Sequence, residues 1–413
     1  MEQGQLTINH ERLWQRLHLL GEQGALSGGG VSRLALSDAD KAGRDLVVGW
    51  MKALGLTVSI DAIGNVVATL GETNDRPVVM MGSHIDTVST GGLFDGNLGV
   101  LAGLEVIETV IESGLELASP LAVGFFTNEE GSRFAPDMMG SGVYTQALAL
   151  DTALATVGID GKTVAEELER IGYSGSAAAR NISKDVKAYF ELHVEQGPVL
   201  DEQHIDIGVV EGVQGISWSE YTLHGTSNHA GTTPMTYRQD AGLAAAKIQI
   251  FANQLAADMA PNQLATVGSK ELRPNLVNVI PNFAKFTVDL RNCDEQALQI
   301  AESALDEYIQ HVVSEHGLKV DKRVLARFEP VPFNPTLISR IEVISQRSGL
   351  SAKRMFSGAG HDAQMFAPLC PTTMIFVPSE KGISHNINEF TRQEDIANGA
   401  NVLLQAVLAT VCD

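Results

Sequence analysis

Leu121-Ala-Val-Gly-Phe-Phe126, running straight into Thr127-Asn-Glu-Glu-Gly131, is the stretch on which the fold turns. A run with no polar residue and no alternation describes a strand covered on both faces, the pattern of a sheet held between helix layers. Three further runs share its form. Val78–Met81 leads into Gly82-Ser-His-Ile-Asp86, Ala188–Leu192 into His193-Val-Glu-Gln-Gly197, and Thr373–Val377 into Pro378-Ser-Glu-Lys-Gly382. Leu98–Ile111, between the first two strands in the chain, is apolar nearly all round and reads as a buried helix. Strand, helix, strand in this order predicts an α/β fold, with a mixed, mostly parallel sheet and helices on both faces. In such sheets ligands gather at the carboxyl ends of the strands, where these polar residues fall.

From about Val213 to Arg327 the pattern changes. Ile216–His224 reads as a strand, Ala241–Asp258 as an Ala-rich helix, and Leu276–Ile280 and Ala284–Arg291 as two further strands. In the last, apolar Ala284, Phe286, Val288 and Leu290 alternate with Lys285, Thr287, Asp289 and Arg291, the two-residue period of a half-buried sheet. Glu295–Val313 then repeats apolar residues at helical spacing, and Leu318–Leu325 closes a last strand. We expect a small α+β unit, residues 213–328, inserted in a larger one made of residues 1–212 and 329–413.

A chain of 413 residues exceeds the usual size of one core, so two domains are the default. Its 44% apolar and 19% charged residues describe an ordinary globular protein. A net charge of −21 argues against a nucleic-acid partner, which demands clustered Lys and Arg, but not against a small anionic substrate. No run approaches the roughly 20 uninterrupted apolar residues of a membrane helix. Met1–Gly21 has no basic segment followed by an apolar one, so it does not read as a secretory signal. Cys293, Cys370 and Cys412 show no metal-type or redox-type spacing, which fits the cytoplasm.

The strand ends carry the chemistry. His84 and Asp86, two apart on extended backbone, share a face, and Asp86 could take the second nitrogen of a metal-bound imidazole. Asp95, in Gly91-Gly-Leu-Phe-Asp-Gly96, has two oxygens and could bridge two cations, although Asp before Gly is also an ordinary turn. Glu129 and Glu130 follow a very apolar strand. Buried there, the pair needs compensating charge, and one can bind metal while its neighbour acts as general base. His193 and His385 would each alone be a satisfied structural histidine. Together His84, Asp95, Glu130, His193 and His385 form an N/O donor set suited to two divalent cations, with Zn²⁺, Mn²⁺, Ni²⁺ and Co²⁺ all possible. Arg291 ends the alternating strand on its polar face, where a guanidinium can grip a carboxylate in two parallel bonds. His229 reads equally well as a loop residue. His361-Asp362 beside Gly358 and Gly360 could line a pocket.

The resemblance then becomes specific. Gly82-Ser-His-Ile-Asp-Thr, Gly92-Leu-Phe-Asp-Gly, Asn128-Glu-Glu-Gly-Ser-Arg-Phe, Glu191-Leu-His-Val-Glu-Gln-Gly, Ser227-Asn-His-Ala-Gly-Thr-Thr-Pro-Met, Ser357-Gly-Ala-Gly-His-Asp and Gly382-Ile-Ser-His-Asn resemble motifs of the dinuclear-metal amidase/aminopeptidase family. They are most similar to its hydantoinase/carbamoylase branch, which holds N-carbamoyl-L-amino acid hydrolases, β-ureidopropionases and allantoate amidohydrolases. The resemblance implies a metallo-aminopeptidase-like domain with an inserted lid and dimerisation domain, and hydrolysis of a ureido C–N bond to amine, CO₂ and ammonia by a metal-bridging hydroxide. It implies metal ligation by His84, Asp95 (the bridge), Glu130, His193 and His385, with Glu129 as general base and Asp86 orienting the first histidine. It further implies oxyanion contact by His229, reaching the partner subunit's site in a homodimer. Gln196, Asn278, Arg291 and Gly360 would hold a small anionic ureido acid. No position departs from the pattern. Gly208–Trp218 is closer to the carbamoylases than to the allantoate enzymes. The resemblance thus implies an N-carbamoyl-L-amino acid as substrate, with allantoate or β-ureidopropionate hydrolysis as the alternative and a peptidase, an aminoacylase or a catalytically silent binding protein more distant.

Overall fold

The computed structural model describes residues 6–73, 76–177 and 182–412. Residues 1–5 of the stretch read above for a signal lie outside the described residues. The chain divides into two units, Met1–Gly212 with Pro332–Asp413, and Val213–Val331.

The first unit begins with β1 (Thr57–Ile60), β2 (Val66–Leu70), β3 (Val78–His84), β4 (Leu121–Phe126), β5 (Val186–Val194) and β6 (Ile207–Val213). The second contains β7 (Gly215–His224), β8 (Leu264–Thr266), β9 (Lys270–Arg273), β10 (Phe283–Asn292) and β11 (Lys319–Phe328). The chain then returns to the first with β12 (Val331–Pro332), β13 (Ala352–Ser357) and β14 (Thr372–Val377).

The larger sheet runs β1-β2-β4-β3-β5-β14-β6-β12, with β13 also on β6. The strands expected from their apolar runs are its four central members, β4, β3, β5 and β14, all parallel. Strands β1 and β2 extend one side and β6 the other, antiparallel. Every residue of β3, β4 and β14 is buried, which is why their sequences do not alternate. On one face, the helix Asn97–Ser113 brings Gly103 against Met81 and Val123, and the helix Gln393–Cys412 brings Gly399 against Leu192 and Val377. On the other, Phe366 of the short helix Asp362–Phe366 stacks on Tyr189 with ring centroids 4.0 Å apart. Gln393–Cys412 is long and apolar enough to cross a membrane. Here Ile396, Leu403, Leu404, Val407 and Val411 spend that apolar character in the core.

In the second unit the order is β11-β7-β10-β8, with β9 also on β10, and the paired strands are antiparallel. One face of β10 buries Ala284, Phe286, Val288 and Leu290 beneath the helices Ala241–Asp258 and Glu295–Glu315. One expected element is corrected: Leu276–Ile280 is not a strand. Pro274 cannot donate to a ladder and Asn275 sits at φ 56°, so extended backbone stops there and β9, just before, pairs with β10 instead. Leu276 and Val277 are left exposed.

Candidate active site

Sheet register places the first two histidines. Met80 pairs with Tyr189, and His84 and His193 each lie four residues further on, so both project from one face at the strand ends. Their ring centroids are 6.0 Å apart. The Nδ1 of His84 meets the Asp86 carbonyl at 2.9 Å, and that of His193 the Val194 carbonyl at 2.9 Å. A carbonyl only accepts, so Nδ1 carries the proton in both rings. The Nε2 atoms are thus turned toward Asp95, in the tautomer a metal ligand needs. Asp95 comes from the turn before Asn97–Ser113, where Gly96 has φ 69° and a Cβ would lie 2.3 Å from the His84 ring. That approach excludes any side chain at residue 96.

The two oxygens of Asp95 serve different neighbours. Oδ1 lies 3.6 Å from His84 Nε2 and 3.3 Å from His193 Nε2. Oδ2 lies 3.5 Å from His385 Nε2, which is itself 3.3 Å from Glu130 Oε2. These separations are long for charged hydrogen bonds. They match the distance of about 3.3 Å between neighbouring donors around a tetrahedral cation with bonds of about 2.0–2.1 Å. His84, Asp95 and His193 form one candidate donor group, Asp95, Glu130 and His385 another, and Asp95 belongs to both. Glu129 Oε2 stands 3.3 Å from His84 Nε2.

The charge balance points the same way. The cavity holding this cluster is about 120 Å³, and among the described residues its lining includes four carboxylates (Asp95, Glu129, Glu130 and Asp137) but neither Lys nor Arg. Burial pushes Glu129 well above the usual carboxylate range, and Asp362, Glu130 and Asp86 add to it against the pull of His84. Burial and Asp95 do the same to Glu130. For His84, burial would lower the imidazole, yet Glu129 and Asp95 hold it well above its ordinary range. Positive charge is drawn to its Nε2. The donor set and the spacing therefore fit divalent cations. A third cluster, Glu191, His193 and His361, does not. Ser83 and the Ala363 amide already bond Glu191, and Ser357 bonds His361 Nε2, so these atoms brace the site from behind.

Asp86 meets the His84 ring with its main-chain carbonyl, which is closer along the chain, and not with its carboxylate, which instead accepts the amides of Glu129 and Glu130 at 3.2 and 3.3 Å. Gln196 lines the cavity but gives Nε2 to Asp95 Oδ2 at 2.8 Å, leaving its buried Oε1 without a partner. Gly360 and His361 also line it. Two carboxylates went unnoticed in the sequence. Asp137 lines the cavity, and Glu389 takes the amides of Phe94 and Asp95. Only the spacing His385…Glu389 hinted at the second.

His229, Asn278 and Arg291 lie in the second unit. The amide of Ala230 bonds the Asn278 carbonyl and that of Ile280 the Asn228 carbonyl, which sets His229 and Asn278 side by side. His229 Nδ1 accepts the amides of Gly231 and Thr232, so in the neutral ring the proton sits on Nε2, facing outward as a donor. Arg291 is bonded to Asp289 at 2.9 Å and lies over Trp218. The His229 and Asn278 loops adjoin the Phe283 end of β10 while Arg291 is near the other, about 26 Å away at 3.3 Å per residue.

Residues 80–409 match the model of peptidase family M20/M25/M40. The N-carbamoyl-L-amino-acid amidohydrolase of Rhizobium meliloti is 39% identical over 98% of this chain and 97% of its own length. The allantoate amidohydrolase of Escherichia coli (strain K12) is 35% identical over 96% and 97%. Among solved structures, an amidase of the hydantoinase/carbamoylase family from Burkholderia multivorans superposes with a TM-score of 0.95 at 43% identity, covering 99% of both chains. The cluster at the strand ends is thus the polar heart of a hydrolase fold, and the chain belongs to peptidase family M20/M25/M40.

Proposed function

We propose that this chain is an N-carbamoyl-L-amino-acid amidohydrolase, converting R–NH–CO–NH₂ and water to R–NH₂, CO₂ and NH₃. The observation that carries the reading is the split of Asp95, one oxygen toward His84 and His193 and the other toward Glu130 and His385, with Glu129 beside them. Those five side chains would hold two divalent cations (Zn²⁺, Mn²⁺, Ni²⁺ or Co²⁺), which polarise a carbonyl and acidify water when bound. Glu129, its proton affinity raised by burial, takes a proton from the attacking water and returns it to the leaving nitrogen. Asp86 fixes the backbone from which Glu129 projects. His229 donates its Nε2 proton to the developing oxyanion.

Gln196, Asn278, Arg291 and Gly360 are read as the groups that hold the substrate's carboxylate and ureido ends. His229 and Arg291 sit near opposite ends of one strand, too far apart to grip one small ureido acid. This supports a homodimer in which His229 serves the site of the partner copy. Three cysteines with no metal-type or redox-type spacing support a cytoplasmic setting. The similarity to an allantoate amidohydrolase over nearly the whole chain favours allantoate as the second candidate substrate.

The test is ammonia release from N-carbamoyl-L-methionine, allantoate and 3-ureidopropionate by protein stripped with a chelator and reloaded with Mn²⁺. Turnover of the first, restored by metal, is expected. Turnover of allantoate alone would transfer the assignment, and no release from any would overturn it.

A further inference from the structure

The two candidate donor groups are not anchored alike. His84 and His193 stand on adjacent parallel strands, and each ring is pinned by a carbonyl of its own chain segment. Asp95 is held locally, since it leads into the helix Asn97–Ser113 and the amides of Asn97 and Leu98 bond the Asp95 and Phe94 carbonyls at 2.7 and 3.0 Å. In the second group the Asp86 carboxylate holds the Glu130 amide, but among the described residues His385 has no such frame. His385 lies on a loop, half exposed and in left-handed backbone at φ 52°. Its loop is fastened to the Asp95 turn by two side chains, Ser384 and Glu389, the second only 5% exposed. Glu389 Oε1 accepts the amides of Phe94 and Asp95, each at 3.1 Å. Ser384, next to His385, directs its hydroxyl to Glu389 Oε2 at 3.3 Å and to Asp95 Oδ2 at 3.1 Å. Gly92 leaves the room for this clamp, for a Cβ there would fall 2.2 Å from Glu389 Oε1.

We propose that Glu389 is a positioning residue that governs the outer cation site (Asp95, Glu130, His385) and leaves the inner one (His84, Asp95, His193) intact, making the two metal positions separable. The inference rests on the dinuclear reading above. Removing the acceptor of two backbone amides loosens the His385 loop, leaving Ser384 as its tie to Asp95, while the sheet still holds His84 and His193. Outer-sphere partners of this kind change metal affinity by about 10–100-fold.

The probe is Mn²⁺ added to the metal-stripped full-length protein, followed by equilibrium binding and by electron paramagnetic resonance. Wild-type protein binds two equivalents and shows the signals of an exchange-coupled pair. Glu389→Ala binds the first equivalent as wild type does, weakens the second at least tenfold, and shows a mononuclear six-line spectrum at one equivalent. Glu389→Gln restores the pair, because the amide oxygen still accepts both N–H groups. Ser384→Ala, which keeps the carboxylate, weakens only the second equivalent and gives the same reading if Glu389→Ala does not fold. Equal weakening of both equivalents, full retention of both, or failure of Glu389→Gln alongside Glu389→Ala overturns the proposal. A wild-type protein that takes only one Mn²⁺ overturns the dinuclear reading with it. A protein that holds two yet releases no ammonia overturns the substrate assignment alone.

Discussion

Replacing Arg33 by Met should destabilise the first unit by about 3 kcal/mol, and the figure can be built from its contacts. The side chain is wholly buried, and its hydrogen bonds among the described residues go to uncharged oxygens. It gives Nε to Ile85 O, Nη1 to Leu20 O and Gln23 O, and Nη2 to Asn97 Oδ1, at 2.6–2.8 Å. Burial pulls the guanidinium down to about 10, so it is still charged at neutral pH. Three of the four acceptors are fully buried, and each left bare costs about 1–3 kcal/mol. Relief from burying a charge returns several kcal/mol. Taking mid-range values leaves a net loss of about 3 kcal/mol, or about 5 °C in Tm for a unit of roughly 300 residues. Arg33→Lys should lose nearly as much, because one ammonium cannot reach acceptors spread around a planar fork. Thermal unfolding followed by circular dichroism measures both. A Tm within 1 °C of wild type for Arg33→Met, or full rescue by lysine, would refute the reasoning.

Three further outcomes are expected. Glu129→Gln should lower kcat by about 10²–10⁴-fold with KM and metal content unchanged; steady-state kinetics beside metal analysis decide it, and parallel loss of metal would show that Glu129 is a ligand instead. Gly96→Ala puts a methyl 2.3 Å from the His84 ring on a backbone at φ 69°, so the variant should fail to bind the first Mn²⁺ equivalent, and normal binding would contradict the packing. Cys370, its thiol pushed up to about 11 by burial, should resist alkylation at pH 8 in the native protein while exposed Cys412 reacts, which peptide mass mapping can check.

What could be read in the sequence divides along a physical line. The central strands were legible because a strand buried on both faces writes its environment into every residue, as β3, β4 and β14 do. The donor cluster was legible because each member closes or follows such a strand or opens the helix behind it. Arg33 and Glu389 carry no local pattern. One binds groups 10, 13, 52 and 64 residues away, the other groups 294 and 295 residues away, and only the folded chain brings them together. For Asp86 the spacing left open whether carbonyl or carboxylate would meet the His84 ring. The carbonyl does, and the carboxylate accepts the amides of Glu129 and Glu130.

Backbone strain was the other unreadable quantity, and part of it falls at the site. Asn128, Gln196 and His385 have φ of 58°, 58° and 52°, a region that costs a residue with a Cβ roughly 1–2 kcal/mol. Glycine would relieve each position and remove what the position supplies. Asn128 Nδ2 holds the Phe134 and Pro136 carbonyls that shape the loop after Glu129 and Glu130. Gln196 reaches Asp95 from its bend, and His385 reaches Glu130. Chain direction must reverse sharply at the strand ends for side chains from separate strands to converge on so small a space. Local preference therefore yields there, and the buried sheet supplies the stability that lets it yield.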